Sequence, residues 1–412
     1  MKKITIFEAF AGLGSQLRAL KLVGKTLNFE VESLGIIEWY IHAIISYQII
    51  NYEVLPADTK TPIEVIIDQL SSLSLSIDSK NLVSKNYFQK MKEDKLRKIY
   101  PYFLKMLNNP SLSLSLSLSL SLSLSLISKN NKNNYYPWYS DIHQVNQIPK
   151  NIDIFTYSFP CQDLSTQGLQ KGLNPSTRSG LLWQIKRILE NNLDNLPKVL
   201  LLENVKNLAS QKFRAEFNNW INFLKTLGYK SKWKILNSTD FGSSQNRQRV
   251  FMVSWLTNKK FEWPTPIKHN NNLKKILDFT HLPNEENLAS KIFKYQLTSP
   301  RITNSRIKKK EIINFTKFNS ENYIYYPDFF GPTLTASGAN SRLKFLFQEN
   351  YIREINFYES FKYMGFTAHD AHKIYKTNLV QPKSIIFLAG NSISIEVLKA
   401  LFEKIVLLLE KE

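Results

Sequence analysis

Residues 3–15 read KITIFEAFAGLGS, a β-rich apolar run that leads through two glycines into a pattern typical of a helix. Gly12 and Gly14 allow the backbone to approach a ligand closely, and the amino end of the helix favours a carboxylate or a phosphate. The other residues of this turn are Phe10, Ala11, Leu13 and Ser15. Because glycine turns end many strands, the turn predicts a ligand site only together with features farther along the chain.

Similar β-rich runs recur through the first 255 residues. They lie at 33–37, 152–157, 198–203, 232–236 and 250–254, and helical patterns follow several of the runs, at 15–24, 180–192 and 214–227. Alternation of strands and helices predicts an α/β fold with a mostly parallel sheet, covered by helices on both faces.

Residue composition and periodicity divide the chain into three parts. The α/β pattern ends near residue 255, and residues 256–345 are rich in Lys, Asn, Thr and aromatic residues without clear periodicity. They predict a second, smaller and more basic domain, and helix-like segments in 346–412 are expected to pack back onto the first domain. An insertion at about 105–134 contains eight Ser-Leu copies at 111–126, for which we expect poor order or an edge strand and no chemistry.

Charge and cysteine usage restrict the class of protein. Lys and Arg number 54 against 34 Asp and Glu, and the net charge of +20 favours nucleic acid over a membrane as the partner. No apolar run approaches the ~20 residues that span a bilayer. The first residues resemble a signal peptide, but Glu8 interrupts their apolar stretch and favours a core strand. One cysteine and no export signal predict a cytoplasmic protein.

The single cysteine, Cys161, lies in the stretch SFPCQ at 158–162. A lone thiol is either a small buried hydrophobe or a nucleophile. Residues 151–157 alternate like a strand, and Pro160 ends that pattern immediately before the thiol. The thiol is therefore predicted in a loop at the carboxyl end of a strand, where open α/β sheets bind their ligands.

Two acidic residues are predicted at the ends of other strands. Glu38 follows the second strand, where a carboxylate can bind ribose hydroxyls, and Trp39 beside it can stack on adenine. The third glycine of a dinucleotide fingerprint is absent, so an adenosyl ligand without a pyrophosphate fits better than NAD. Glu203 follows a buried apolar run, a position that suits a group that protonates or hydrogen-bonds a ring nitrogen. The alternative for Glu38 and Trp39 is an ordinary surface Glu beside a half-buried Trp, and the alternative for Glu203 is a helix-capping or ion-paired Glu.

A pair of arginines lies in QNRQR at 245–249, before the strand at 250–254. Side chains at i and i+2 point the same way on extended backbone, so Arg247 and Arg249 are expected to reach a phosphate and a base oxygen together. A solvated basic edge is the alternative.

In chain order these residues resemble the C5-cytosine DNA methyltransferases. The resemblance rests on Phe10-x-Gly12-x-Gly14, Glu38-Trp39, Asp141-Ile142, Pro160-Cys161-Gln162, Arg178-Ser179-Gly180-Leu181-Leu182, Glu203-Asn204-Val205, Gln245-x-Arg247-x-Arg249 and Gly390-Asn391-Ser392. It covers nearly the whole chain, and the Ser-Leu tract is its clear departure. The stretches FEAFAG at 7–12, TYSFPCQDLS at 156–165 and GPTLTASGANSR at 331–342 are similar to the CpG-specific members from mollicutes.

The resemblance implies a DNA (cytosine-5)-methyltransferase, an enzyme of DNA methylation and of restriction–modification systems. It would transfer a methyl group from S-adenosylmethionine to C5 of a cytosine flipped out of duplex DNA, with CG as the expected site. The implied fold is a Rossmann-like catalytic domain with a mixed seven-stranded sheet at 1–255, and a target-recognition domain at 256–345. The expected partner is double-stranded DNA, bound by a monomer without a metal.

Residue roles are carried over from the family to matching positions. Cys161 would attack C6 of the base, Glu203 would bind N3 and the exocyclic amine, Arg249 would support the O2 side, and Arg247 would lie nearer the backbone or the thiol. The expected cofactor-binding residues are Phe10, Ala11, Gly12, Leu13, Gly14, Ser15, Glu38, Trp39, Asp141, Ile142, Pro160, Leu181, Asn391 and Ser392. The expected DNA-binding residues are Gln162, Ser165, Ser320, Glu321, Thr335, Ser337, Ala339, Asn340 and Arg342.

Two other functions fit parts of the sequence. A tRNA cytosine methyltransferase would use the same catalytic motifs, but the long basic domain and the stretch at 331–342 count against it. A catalytically inactive DNA-binding regulator is disfavoured by the intact Cys161, Glu203, Arg247 and Arg249. A metal enzyme is poorly supported, because six scattered histidines and one cysteine do not form a typical ligand set.

Overall fold

The computed structural model describes residues 2–108, 137–161, 164, 172–173, 177–317, 321–336 and 341–410. The Ser-Leu repeat at 111–126 lies outside the described residues. Contacts between residues divide the chain into two compact units. The first contains residues 1–234, 250–261 and 405–412, and the second contains 235–249 and 262–404.

The first sheet has seven strands in the order β3-β2-β1-β4-β5-β7-β6. Parallel pairing joins β1 to β2 and β4, β2 to β3, and β4 to β5. All six strands that the apolar runs predict are present, which confirms the α/β sheet, and only the two-residue β3 was not anticipated. The strands are β1 (Lys3–Ala9), β2 (Glu30–Ile37), β3 (Trp138–Tyr139), β4 (Ile154–Tyr157), β5 (Val199–Val205), β6 (Lys230–Asn237) and β7 (Gln248–Trp255).

Helices fill the connections between these strands and form much of the second unit. The predicted helical patterns at 15–24, 180–192 and 214–227 correspond to the first, sixth and seventh described helices. The described helices are α1 (Ser15–Leu27), α2 (Ile41–Asn51), α3 (Ile63–Ser71), α4 (Glu93–Ile99), α5 (Leu104–Leu107), α6 (Leu182–Glu190), α7 (Arg214–Thr226), α8 (Ala289–Ile292), α9 (Phe357–Tyr363), α10 (Ala368–Lys376), α11 (Pro382–Asn391) and α12 (Ile395–Leu408).

The centre of the first sheet is buried on both faces. All four residues of β4 and the first six of β5 are buried, as is typical of parallel strands covered by helices. Helix α7 packs onto this centre through Trp220, whose indole N–H donates to the Tyr157 hydroxyl at 3.1 Å. The continuous apolar core keeps the carboxyl ends of β1, β4 and β5 in a fixed arrangement.

The second unit contains a five-stranded sheet in the order β12-β11-β10-β9-β8. Its strands are β8 (Arg301–Ile302), β9 (Lys308–Glu311), β10 (Tyr323–Tyr325), β11 (Lys344–Gln348) and β12 (Tyr351–Glu354). From the sequence, a boundary is expected near residue 345, with a return of 346–412 to the first domain. The contacts group 346–404 with 262–345, where β12 pairs antiparallel with β11, and group 405–412 with the first unit.

Among the described residues, one stretch has the length and composition of a membrane span, which the apolar runs of the sequence did not predict. Within Pro382–Leu408 the mean hydropathy of an 18-residue window reaches 1.7, but 67% of that window is buried inside the protein. The stretch consists of α11 and α12, and its apolar residues, such as Ile385, Leu401 and Ile405, are buried. Burial of this kind is typical of core helices.

Candidate active site

Five adjacent strands of the first unit end at one edge of the sheet and carry the predicted site residues there. In spatial order, β3 is followed by Asp141, β2 by Glu38, β1 by the turn at 10–14, and β4 by Cys161. Glu203 lies near the end of β5, one residue beyond the pairing of Tyr157 with Leu202. The carboxyl edge of a parallel sheet is the usual ligand site of this fold class.

The turn at 10–14 has a backbone that depends on its glycines. Gly12 and Gly14 adopt positive φ values of 56° and 74°, and the amides of Phe10 and Ala11 donate to the Ile37 carbonyl at the end of β2. A Cβ at Gly14 would lie 2.5 Å from the Asn51 side chain, whereas a Cβ at Gly12 would meet no atom within 4 Å. Gly14 is thus required by packing, and Gly12 leaves open space above the turn.

Glu38 holds the turn and the start of the next connection together. Its carboxylate accepts hydrogen bonds from the amides of Gly12, Trp39 and Tyr40, each at 2.9 Å. Burial raises the pKa of the Glu38 carboxyl, and these backbone hydrogen bonds oppose that rise. Because an ionised carboxylate offers about four acceptor positions, Glu38 retains capacity for a ribose hydroxyl. Trp39 beside it is half-buried.

The next strand along the sheet contributes Asp141 and Ile142. The Asp141 carboxylate accepts from the His143 amide at 2.9 Å and lies 2.8 Å from its Nδ1. Ile142 is buried, and its carbonyl accepts from Arg187 at 2.9 Å. Leu181 is half-buried and immediately precedes α6. Arg187, which lies on α6, thus fixes the backbone that follows β3.

The loop that carries Cys161 is held on two sides. The Asn204 amide of β5 donates to the Phe159 carbonyl at 3.0 Å, and the Ser179 hydroxyl donates to the Pro160 carbonyl at 2.8 Å. Cys161 itself is partly exposed, and its carbonyl accepts from the Leu164 amide at 3.0 Å. Asn204 and Ser179 lie within the sequence motifs, but the motifs alone assign them no role. Their positions next to Glu203 and two residues before Leu181 were the available signal.

The two arginines of the 245–249 stretch differ in environment. Arg247 is buried and donates to the carbonyls of Leu334, Gly390 and Ser392 at 2.7, 3.1 and 2.9 Å. Arg249 is partly exposed and donates to the Gln248 carbonyl at 2.9 Å. From the sequence, both side chains are expected to point the same way on extended backbone. The strand β7 begins at Gln248, so Arg247 immediately precedes it and Arg249 lies within it.

Two of the predicted base-reading residues of the second unit lie side by side. Glu321 precedes β10 and Arg342 precedes β11, and these strands pair in parallel with Ile324 opposite Lys344. The Arg342 guanidinium forms an ion pair with the Glu321 carboxylate. Glu321 is largely buried and Arg342 is exposed. The pair therefore presents an anionic acceptor and a cationic donor fork at one edge of the second sheet.

The remaining predicted residues are placed as follows. Asn391 is exposed at the end of α11, Ser392 is buried and donates to the Ala389 carbonyl at 2.7 Å, and Thr335 is half-buried. In the basic part of the second unit, the Lys309 ammonium lies 3.4 Å from the Tyr323 ring centroid and the Arg306 guanidinium lies 4.9 Å from that of Phe330. The predicted DNA-binding residues outside the described part of the chain are Gln162, Ser165, Ser320, Ser337, Ala339 and Asn340.

Comparison with known proteins identifies the family to which these features belong. Residues 127–407 match the family model described as C-5 cytosine-specific DNA methylase. The chain belongs to this family. This methylase is 42% identical over 410 residues to the orphan methyltransferase M.SssI of Spiroplasma monobiae, with 98% of this chain and 97% of the relative covered. It is 29% identical over 420 residues to the type II methyltransferase M2.ScrFI of Lactococcus lactis subsp. cremoris, with coverage of 98% and 99%.

Solved structures agree at the level of the fold. The Entamoeba histolytica methyltransferase EhMeth is similar to this chain with a TM-score of 0.58 and 16% identity, over 100% of both chains. The methylase therefore has the fold of S-adenosylmethionine-dependent methyltransferases, and its activity is methyl transfer to C5 of cytosine in DNA. The resemblance seen in the sequence is confirmed, and the tRNA alternative is not favoured.

Replacement of Asn204 by alanine is expected to lower kcat of the methylase about 10–100-fold, since a small displacement of a reacting group has costs of this order. The reason is that the Asn204 amide fixes the Phe159 carbonyl, two residues before the thiol. Steady-state methyl transfer with labelled cofactor measures the effect. Asn195→Ala is the matched control, because its amide bonds the Pro149 carbonyl before β4 begins. Equal losses in both variants would contradict the role given to Asn204.

The buried carboxyl of Glu8 predicts a pH dependence of stability. Glu8 accepts from the Tyr47 hydroxyl at 2.6 Å and the Leu17 amide at 3.2 Å, and burial raises its pKa from 4.5 to about 7. A raised pKa means that the folded state prefers the protonated form. The Glu8 contribution to stability is therefore full below pH 4.5 and is lost as the pH rises towards 7.

Glu8→Gln, which stays neutral, should remove this dependence. The unfolding free energy of the variant relative to the wild type is expected to increase between pH 4.5 and 7, and to level off above pH 7. Urea denaturation at a series of pH values measures the difference. A difference that does not change with pH would contradict the assignment.

Proposed function

We propose that this methylase binds S-adenosylmethionine at the carboxyl edge of its first sheet. The proposal is supported by the open space at Gly12, by the Glu38 carboxylate beside it and by the half-buried ring of Trp39. Glu38 would accept from the ribose hydroxyls, and Trp39 would stack on the adenine. The amino end of α1, which follows the turn at residue 15, is electropositive and would favour the carboxylate of the cofactor. By resemblance, Asp141, Ile142, Leu181, Asn391 and Ser392 complete the set.

The chemistry begins at Cys161. Cytosine C5 is a weak nucleophile, and addition of the thiolate to C6 converts C4–C5 into part of an enamine. Glu203 would bind N3 and the exocyclic amine and neutralise the charge that develops during this addition. Arg249 would support the O2 side of the base. S-adenosylmethionine, when bound, would supply an electrophilic methyl group and leave as S-adenosylhomocysteine. Loss of the C5 proton to water would then allow the Cys161 thiolate to be eliminated from C6.

The substrate is proposed to be duplex DNA, with the target cytosine rotated out of the helix. Both faces of the C5–C6 bond are covered by neighbouring bases in a stacked duplex, so the thiol and the methyl donor reach the base only after flipping. The formal charge of +20 supports binding to the phosphate backbone. We further propose that the enzyme acts as a cytoplasmic monomer.

CG is the proposed recognition site. The proposal rests on the similarity of 7–12, 156–165 and 331–342 to the CpG-specific mollicute enzymes, and on the ion pair of Glu321 with Arg342. A carboxylate accepts from cytosine N4, and an arginine donates to guanine O6 and N7. Because a guanidinium has five N–H donors, contact with Glu321 leaves Arg342 able to bind guanine.

Bisulfite sequencing of duplex DNA incubated with the enzyme and S-adenosylmethionine tests this function. Cytosines in CG should resist conversion on both strands, and other cytosines should convert. Resistant cytosines outside CG would contradict the specificity. Transfer to tRNA but not to duplex DNA would favour the tRNA alternative, and no transfer to either would favour a DNA-binding regulator.

Replacement of Arg342 by lysine should weaken the preference for guanine by about 1–3 kcal/mol, because the arginine guanidinium is proposed to read the base directly. The same bisulfite experiment measures the change.

A further inference from the structure

The Arg247 side chain joins two parts of the second unit that are far apart in the sequence. We call residues 334–336 the Leu334 segment and residues 390–392 the Gly390 segment. The guanidinium donates once to the Leu334 segment, at 2.7 Å, and twice to the Gly390 segment, at 3.1 and 2.9 Å. Arg247 is only 3% exposed, so these contacts are shielded from water and are stronger than they would be on the surface.

The two segments also touch through their backbones. A Cβ at Gly390 would lie 2.3 Å from the Thr335 carbonyl carbon and 2.4 Å from the Ala336 nitrogen. Only glycine allows this approach, since a contact under 3.0 Å with backbone atoms requires the backbone to move. Arg247 and Gly390 therefore contribute to the same contact by different means, one by hydrogen bonds and the other by the absence of a side chain.

The Leu334 segment is held on its other side as well. Gln245 accepts from the Leu334 amide at 3.0 Å and donates to the Tyr363 carbonyl at 3.0 Å. The Thr333 hydroxyl donates to the Asn246 carbonyl at 2.7 Å. The stretch 245–247 thus binds residues 333–334 through several hydrogen bonds. Of the hydrogen bonds described here, those to the Gly390 segment come from Arg247.

We propose that Arg247 is a positioning residue, which holds the Leu334 and Gly390 segments in one arrangement and does not contact the target cytosine. The inference rests on the proposed function, in which Thr335 contacts DNA and Asn391 and Ser392 bind the cofactor. A ligand that orders one segment then lowers the cost of ordering the other. Cofactor and DNA strengthen each other's binding by an equal factor, and Arg247 transmits this effect.

Two substitutions separate the segments in different ways. In Arg247→Lys the charge is kept, but a single ammonium on a flexible stem cannot reach carbonyls of both segments with the geometry of a fork. In Gly390→Ala the arginine is kept, and the added Cβ forces the segments apart. Arg97→Lys is the control, because Arg97 bonds Glu93 and the Thr61 carbonyl in the first unit.

The experiment measures the affinity of each full-length protein for a CG duplex, with and without S-adenosylhomocysteine, and the affinity for S-adenosylhomocysteine with and without the duplex. In the wild type we expect each ligand to raise the affinity for the other about tenfold, within the usual range for coupled sites. In both variants this factor should fall to about two or less, and in Arg97→Lys it should be unchanged. In Arg247→Lys, the KM values for DNA and for S-adenosylmethionine should both rise, since each ligand then binds without help from the other.

The outcomes are distinct. A wild type without coupling, or variants that retain it, would overturn the inference. A large loss of kcat in Arg247→Lys with coupling intact would show that the arginine acts at the base. If Arg247→Lys does not fold, Gly390→Ala carries the same comparison. Failure of the proposed function is recognised separately, since the wild type would then bind neither the CG duplex nor S-adenosylhomocysteine.

Discussion

Cys161→Ala is expected to abolish methyl transfer and to leave binding of duplex DNA and cofactor intact. The thiolate is the group that makes C5 nucleophilic, and no other cysteine is present in the chain to replace it. Loss of an enzyme nucleophile typically lowers turnover by at least about 10⁴-fold. Transfer of labelled methyl groups to a CG duplex measures the loss.

Two controls make this result specific. The melting temperature and the affinity for S-adenosylhomocysteine should match those of the wild type, because Cys161 is partly exposed and its loop is held through backbone carbonyls. Cys161→Ser keeps a hydroxyl of similar size, which is almost fully protonated at neutral pH, and should be nearly as inactive. Turnover within tenfold of the wild type in either variant would refute a nucleophilic role.

Arg353→Met is expected to destabilise the second unit by about 3–5 kcal/mol, the scale for breaking a buried ion pair by removing one partner. The Arg353 side chain is 1% exposed and binds both oxygens of the equally buried Glu359, each at 2.7 Å. It also donates to the carbonyls of Glu354 and Asp278. Its removal leaves the Glu359 carboxylate buried without its cation.

Urea denaturation of the full chain measures this change. Arg301→Met is the matched control, because Arg301 is exposed and lies 3.9 Å from Glu311, and exposed pairs contribute about 0–1 kcal/mol. Arg353→Lys should recover only part of the loss, since one ammonium cannot bind both oxygens as a fork does. A loss of less than 1 kcal/mol in Arg353→Met would contradict the role of this pair.

Local patterns in the sequence were sufficient to predict the α/β sheet and the edge that carries the site. The strands β2, β4 and β5 contain apolar runs. Glu38 follows β2 directly, Cys161 lies four residues beyond β4, and Glu203 follows the apolar residues 199–202 within β5. Parallel strands bring their carboxyl ends to one edge, so these positions follow from the strand pattern and simple geometry.

Other features depend on contacts between distant residues and were not predictable in this way. Alternation along a strand could not predict the partners of Arg247, because these are carbonyls 87 to 145 positions away in the sequence. The domain boundary expected near residue 345 falls inside β11, and the antiparallel pairing of β11 with β12 could not be predicted from local patterns. The burial of Glu8 on β1 depends on the packing of Tyr47 from helix α2.

The central claim, that Cys161 forms the covalent bond to the target cytosine, is tested most directly with a duplex that contains 5-fluorocytosine in a CG site. Fluorine at C5 cannot leave as a proton does, so elimination stops and the adduct persists. In the presence of S-adenosylmethionine, intact mass spectrometry should show one DNA strand attached to the protein, and peptide mapping should place it on Cys161. A bond to any other residue, or methylation of normal CG duplex by an enzyme that never forms the adduct, would contradict the account.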